Sequence, residues 1–267
     1  MSPERRSLAG RSDLRNVPPK QPEPGERRRF TVAVCENAHL IADNTFEVSV
    51  TKPYLGFAFV PGQSMKFCFS GDMHGRSFTI VSAPNEPYLT FVFRGSDSEL
   101  KKNLTRLQAG DRVMMLDAKG DCTYPEEPAP VVAIAGGVGI APFMSMLRHA
   151  ANIGDARDFH LIYANPSPET TAYKGELDRM TASGAVKLET RYLATRAREG
   201  ERLPDRFERG HISAEHLQPF LASPAIFYLV GTREMIESTK DLLASLGVPE
   251  DRIRFKIFKG YEGVDGS

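Results

Sequence analysis

The sequence predicts a small antiparallel β-barrel followed by a doubly wound parallel α/β sheet. Three observations carry that expectation. Short runs rich in β-branched and aromatic residues, punctuated by Gly, Pro, Asn and Asp, fill the stretch from Phe30 to Leu116. Beyond residue 130 strand-like and helix-like periods alternate, the mark of a parallel sheet covered on both faces. Between them, Val131-Val132-Ala133-Ile134-Ala135-Gly136-Gly137-Val138-Gly139-Ile140-Ala141-Pro142 runs an apolar strand straight into a glycine-dense turn and a proline-started helix.

Residues 1–29 hold eight basic and four acidic side chains, five prolines and no aromatic. Such a segment buries too little apolar surface to offset its ordering entropy and reads as a disordered tail. The barrel unit is expected over 30–124, with strands at 30–35, 45–51, 64–69, 77–81, 89–93 and 112–116. One helix interrupts it, opened by Ser96-Asp97-Ser98-Glu99 as a capping box and continued by Leu100, Leu104 and Leu107. Tyr124-Pro125-Glu126-Glu127-Pro128-Ala129-Pro130 then reads as a linker into the α/β unit at 125–267. There the strands are expected at 131–135, 159–164, 186–193, 225–230 and 253–258, and the helices at 141–151, 169–181, 214–221 and 233–246. Ser167, Ser213 and Thr232 are the expected N-caps, and Gly247 a helix stop.

Composition narrows the function. Lys+Arg and Asp+Glu both number 34, so nothing in the net charge points to nucleic acid. No apolar run approaches the roughly 18–20 residues of a membrane span, and the start lacks a signal-peptide core. A soluble, cytoplasmic protein is expected. Cys35, Cys68 and Cys122 are odd in number and far apart, which excludes a disulfide framework and a Cys-X-X-Cys metal or iron–sulfur site. His74, His149, His211 and the other histidines show no metal-ligand spacing, so no metal is expected.

The glycine turn has a chemical use. Gly136, Gly137 and Gly139 allow the backbone close to a phosphate, and the helix start offers unpaired N–H groups and a positive dipole end. Pro142 stands where the plain dinucleotide fingerprint has its third glycine, and suits a first helical turn. Taken alone, the turn fits any tight strand-to-helix connection equally well.

Further motifs decide between these readings. Arg76-Ser77-Phe78-Thr79, with Ser82 three positions on, resembles the R-x-Y-[S/T] flavin motif of the ferredoxin–NADP reductase superfamily. Pro61-Gly62-Gln63 precedes it, as P-G-Q does in that family. The likeness continues through Ser82-Ala83-Pro84-Asn85-Glu86, Arg94-Gly95-Ser96-Asp97-Ser98, Ala109-Gly110-Asp111-Arg112-Val113 and Gly120. Gly231 with Met235 looks like the family's C-G-P-x-x-M turn, and Phe258-Lys259-Gly260-Tyr261 like the F-x-G-Y ending of its standalone members.

The resemblance implies an FAD-binding barrel and an NAD(P)-binding sheet. Arg76 would pair with the FAD pyrophosphate, with a second anion site at the Gly95–Ser98 helix start, and Arg94 belongs to the same cofactor set. Ser77 and Ser82 join the cofactor set, Phe78 would lie along the isoalloxazine, and Thr79 would aim its hydroxyl near flavin N5. Gly136, Gly137 and Gly139 would bring a nicotinamide dinucleotide to the helix at Pro142. Gly231, with Met235, would leave room for the nicotinamide, and Thr79 and Phe258 would flank hydride transfer from its C4 to N5. The implied activity is a FAD-dependent NAD(P)H oxidoreductase that hands electrons to a separate acceptor: a ferredoxin or flavodoxin, an oxygenase component or a ferric chelate. The rival readings are a flavoprotein subunit without turnover of its own, a siderophore-type ferric reductase, and a scaffold binding some other nucleotide.

Four departures from the family pattern stand out. Phe78 replaces the flavin-motif tyrosine. Val230 and Thr232 replace the cysteine and proline around the nicotinamide-side glycine. Ile257, preceded by Lys256, stands where an acidic residue is common. Asn165-Pro166-Ser167 replaces a segment in which relatives commonly carry an arginine, which favours NADH over NADPH, although Arg191, Arg196 and Arg198 follow closely.

Overall fold

The computed structural model describes residues 30–68 and 75–258. The expected tail at 1–29, Phe69 at the end of the third expected strand, His74 and Lys259-Gly260-Tyr261 lie outside the described residues.

Strands β1 (Phe30–Ala42), β2 (Thr45–Thr51), β3 (Ser64–Cys68), β4 (Arg76–Thr79), β5 (Tyr88–Arg94) and β6 (Arg112–Leu116) form an antiparallel sheet in the order β4-β3-β6-β1-β2-β5. An Ile80–Phe91 bridge and the Val81 N–H donating to Thr90 O at 2.7 Å join its two edges and close the barrel. Phe57, Phe59, Met65, Phe67, Phe91 and Phe93 fill the interior. β1 extends to Ala42, beyond the expected 30–35. Its first half pairs with β6 and its second with β2, and a register shift between Cys35 and Asn37 turns it from one neighbour to the other.

The barrel helix α1 (Glu99–Thr105) corrects one expectation. No capping box forms from Ser96: Ser98 is the N-cap without a side-chain cap bond, and its hydroxyl lies 3.3 Å from that of Ser96. The two hydroxyls bond each other instead of the helix.

The second sheet is parallel: β7 (Val131–Gly136), β8 (Asp158–Asn165), β9 (Lys187–Ala194), β10 (Phe207–Arg209), β11 (Ile226–Gly231) and β12 (Ile253–Ile257), in the order β10-β9-β8-β7-β11-β12. Helices α2 (Ala141–Ile153), α3 (Lys174–Ser183), α4 (Ala214–Leu217) and α5 (Arg233–Ser245) connect them. The direction of winding reverses between β7 and β11, and the crevice beyond their carboxyl ends is where open α/β sheets take ligands. Ser167 and Ser213 form capping boxes with Thr170 and His216, Thr232 accepts from the Met235 N–H at 3.3 Å, and Gly247 follows α5 at φ +80°.

Three differences from the expected elements have physical causes. β10 is only three residues long and carries no alternation to read. The helix expected over 169–181 splits into a 3-10 turn, Pro168–Thr170, and α3. Between them Tyr173 sits at φ 60° with its hydroxyl donating to Glu47 Oε2 of β2 at 2.6 Å, so a tertiary contact overrides helical propensity. The helix expected over 214–221 ends early at a 3-10 turn, Gln218–Phe220, that contains Pro219.

The two sheets pack along a seam. Val81, Val92 and Cys122 share one buried cluster with Phe143, Met144 and Met146 of α2. At its centre Ser145 Oγ donates to Ser82 O at 2.7 Å. At its rim Arg148 donates to both Glu176 oxygens at 2.7 and 2.8 Å and lies 3.6 Å from Glu86. The glycine turn itself packs on β11, since a Cβ on Gly139 would fall 2.1 Å from Val230 O.

Two predictions follow from this packing. Gly139→Ala has no room without moving β11 and is expected to destabilise the fold by about 2–4 kcal/mol, against about 1 kcal/mol for Gly137→Ala, whose φ is +53° but whose Cβ would face open space. Urea denaturation of both variants checks the order; equal losses would contradict it. Tyr173→Phe removes the hydroxyl held by Glu47 and is expected to cost about 1–3 kcal/mol in the same assay.

Candidate functional site

The crevice is built first from the strand ends. β7 ends at Gly136 and β11 at Gly231, and a 3-10 turn, Gly137–Ile140, stands between β7 and α2. The helical N–H array therefore opens at Gly137 rather than at Pro142, which is buried in the first turn of α2. The N–H groups of Gly137 and Val138 begin that turn and have no intrahelical carbonyl to bond. Gly137 takes the left-handed backbone that only glycine adopts freely, and the Tyr163 hydroxyl steadies its carbonyl at 3.0 Å. Met235 lies across both strand ends: a Cβ on Gly136 would meet its Sδ at 2.6 Å, and one on Gly231 its Cε at 2.7 Å. Phe258 returns to the same place, its N–H donating to Gly231 O at 3.0 Å.

The barrel contributes the facing wall. Alternation along β4 sends Phe78 inward, where it is 9% exposed and stands edge-on to Phe67 and Phe93. The sequence expectation laid this ring along a flavin; the structure makes it part of the barrel core. Thr79 points to the opposite face, its Oγ1 3.1 Å from Ser64 Oγ. Lys256 of β12 reaches across the seam and donates to both hydroxyls, at 2.5 Å to Ser64 and 3.0 Å to Thr79. Burial lowers the Lys256 pKa from its ordinary value, with the charges of Cys122 and Asp121 acting the other way.

Ser82 is a correction. It is fully buried, its Oγ accepts the Thr90 N–H at 3.1 Å and its carbonyl takes the bond from Ser145, so it has no surface to offer a cofactor. Its position in the motif reflects the seam.

A second cluster lies at the open end of β4 and β5. Arg76 begins β4, Arg94 ends β5 and Lys101 projects from α1. The Lys101 amine is held below its ordinary pKa by burial and then by the positive charges of Arg76 and Arg94. Among the described residues none of the three forms an ion pair, whereas the neighbouring Lys102 meets Asp97 at 3.6 Å. Gly95 lies alongside, its N–H donating to Asn44 O at 2.9 Å, with space for a Cβ denied by Asn44 Oδ1 at 2.3 Å. Ser77 is exposed on β4 opposite Lys66, and Ser98 caps α1 nearby. Three convergent cations without a carboxylate suit a polyanion such as a pyrophosphate. Lys101 was not singled out from the sequence; its one signal is a lysine placed in the helix that follows Arg94-Gly95.

The end of β8 forms the far wall. The Asn165 side chain is buried, and neither amide atom has a partner among the described residues. The backbone N–H groups of Thr195 and Arg196 donate to Asn165 O and Pro166 O at 2.8 and 3.0 Å, which brings Arg196 beside Asn165-Pro166-Ser167. Arg191 instead lies 3.6 Å from Glu208, and the Arg198 N–H bonds the Glu201 carboxylate at 2.8 Å. Among the described residues no helix is long and apolar enough to cross a membrane, and no three His, Cys, Asp or Glu side chains come together to hold a metal.

Comparison with known proteins agrees with this geometry. Residues 133–241 match the family described as the oxidoreductase NAD-binding domain. The chain is 25% identical over 231 residues to the toluate 1,2-dioxygenase electron transfer component of Pseudomonas putida, an alignment covering 85% of this chain and 67% of that protein. It is also 25% identical over 212 residues to the reductase component of propane 2-monooxygenase from Rhodococcus jostii, covering 76% of this chain but only 56% of that one. Its fold matches the FAD/NAD-binding domain of nitric oxide dioxygenase from Vibrio cholerae with a TM-score of 0.74 at 21% identity, over 85% of this chain and 98% of that domain. The barrel and the wound sheet thus give the chain the fold of an FAD/NAD-binding domain, and residues 133–241 match an oxidoreductase NAD-binding domain.

Proposed function

We propose that the chain holds FAD on the barrel face, takes hydride from NADH in the crevice at Gly136 and Gly231, and passes electrons to a separate oxygenase component. The observation that carries this reading is the unpaired cluster of Arg76, Arg94 and Lys101. Three cations held together without a counter-charge repel one another, and a pyrophosphate is the dianion that relieves them. The residues present therefore fit FAD, with Gly95, Ser77 and Ser98 lining the same end.

When bound, the flavin supplies the two-electron acceptor and the nicotinamide the hydride. The protein supplies position. Gly137 and Val138 offer N–H groups to the dinucleotide phosphates at the start of the turn that leads to Pro142 and α2, and Gly139 lets that turn pack against Val230. Gly136 and Gly231 keep the strand ends bare, so that only the flexible Met235 side chain has to yield when a flat ring enters. The Phe258 backbone is anchored on Gly231, which sets its ring at the mouth of the same crevice. With Val230 in place of the family cysteine, no thiol takes part at that point. Catalysis on this reading is chiefly orientation, holding two rings in contact across the seam.

NADH is favoured because Asn165-Pro166-Ser167-Pro168-Glu169 carries a carboxylate and no cation where a 2′-phosphate would need one. Arg191 is engaged by Glu208, which leaves Arg196 and Arg198 as the residues able to oppose this preference. The oxygenase acceptor is supported by the relatives, whose names describe electron delivery to a dioxygenase and a monooxygenase.

Arg76→Ala and Lys101→Ala are each expected to weaken FAD binding about tenfold or more while leaving the circular dichroism unchanged, as the loss of a charged phosphate contact requires. Fluorescence titration of the stripped protein checks this, and undiminished affinity in both variants would sink the phosphate site. Anaerobic mixing of the FAD-loaded protein is expected to bleach the flavin band faster with NADH than with NADPH, and Arg196→Ala to slow the NADPH reaction further. Bleaching by neither nucleotide would refute the function, and faster bleaching by NADPH would refute the preference.

A further inference from the structure

We infer that Lys256, and not the Thr79 hydroxyl, is the group this reductase presents to the hydride-accepting edge of its flavin, as a cation held in place by Ser64 and Thr79. The inference rests on the FAD reading proposed above and deepens it.

A lysine ammonium has three N–H donors and no acceptor. Two of those donors are spent on Ser64 Oγ at 2.5 Å and Thr79 Oγ1 at 3.0 Å. The third has no acceptor among the described residues, and Lys256 forms no ion pair there. Thr79 is only 2% exposed, and its outward hydroxyl face is the one that Lys256 covers. A ring laid on this wall therefore meets the ammonium before the hydroxyl.

Strand pairing explains why the lysine stands there. Lys256 pairs with Val230 and Ile257 with Gly231 across β11 and β12, so the side chain leaves the sheet one residue from the glycine that bares the crevice. The hydroxyls of Ser64 and Thr79, 3.1 Å apart on adjacent barrel strands, form a fixed two-point seat for it. A half-buried lysine with no ion pair, for which the Asp121 charge offsets only part of the burial, is costly to keep unless a ligand uses its charge.

The chemistry that uses it is hydride acceptance. A hydride brings two electrons and one proton, so the flavin that receives it gains a unit of negative charge. A fixed ammonium beside the ring lowers the energy of that reduced form relative to the oxidised one, and does so more strongly in a water-poor seam.

The test is the midpoint potential of bound FAD, measured by spectroelectrochemistry on wild type and on Lys256→Met, Lys256→Arg and Thr79→Val after FAD content has been recorded. Lys256→Met is expected to favour the reduced form about tenfold less, a midpoint about 30 mV lower for a two-electron couple. Its hydride-transfer rate should fall with the NADH KM little changed. Lys256→Arg should recover most of the potential, and Thr79→Val, which loosens the seat but keeps the cation, should shift it less than Lys256→Met. A flavin-loaded Lys256→Met protein with the wild-type potential would overturn the inference, as would one that only loses stability. Should Lys256→Met not fold, a Thr79→Val potential shifted downward while Lys256→Arg stays near wild type would support it, and two unshifted potentials would overturn it. A wild-type protein that takes up no FAD would instead refute the underlying flavin reading.

Discussion

Everything in this molecule depends on how rigidly the barrel and the parallel sheet are fixed to each other. Two flat rings exchange a hydride only in van der Waals contact, and an error of about 1 Å costs orders of magnitude in rate. Here one helix answers that demand at both ends. α2 grows out of the glycine turn, so its start belongs to the crevice, while its buried face, Phe143 to Leu147, packs against Val81, Val92 and Cys122 of the barrel side. The Ser145–Ser82 bond lies inside that contact and has no water to compete with it. The glycine turn and the barrel wall are thereby joined through a single helix.

Charge is distributed by the same logic. The chain is formally neutral, yet its cations fall into two groups with different work. Those that hold the architecture are paired: Arg148 with Glu176 and Glu86 at the seam, Arg157 with Asp155 beneath the Tyr124 ring, and Arg254 with Glu127 and the Tyr228 hydroxyl. Those on the two proposed ligand surfaces, Arg76, Arg94 and Lys101 on one and Lys256 on the other, form no ion pair among the described residues. Burial that would otherwise be a cost becomes the means of holding an uncompensated positive potential ready for an anion.

Much of this was legible in the sequence because it is local. Strand periods, the three N-caps and the glycine turn are written within a few residues of one another, and the order of the barrel motifs carried the resemblance that implied this fold. What was illegible depends on contacts between distant residues. Ser82 reads as a cofactor residue from its motif, but its hydroxyl is consumed by Thr90 and its carbonyl by Ser145. Phe78 reads as a flavin platform, but the twist of β4 turns it toward Phe67 and Phe93. The break at Tyr173 is set by Glu47, 126 positions away. Gly139 reads as a concession to a phosphate, yet the nearest obstacle to a side chain there is the Val230 carbonyl of its own sheet.

The departures from the family pattern that seemed separate along the chain become one feature in space. Val230 and Lys256 are directly paired residues of β11 and β12, so the loss of the cysteine and the arrival of the lysine occur at a single point of the sheet. A thiol beside an ammonium is driven toward thiolate, which would neutralise the cation and place a nucleophile against an electrophilic nicotinamide. Valine removes that conflict. The nearby Cys122 avoids it differently: burial pushes its thiol up to about 11, outweighing the pull of Lys256, and keeps it neutral. Lys256 forms no ion pair among the described residues, and the Asp121 charge offsets only part of the effect of its burial.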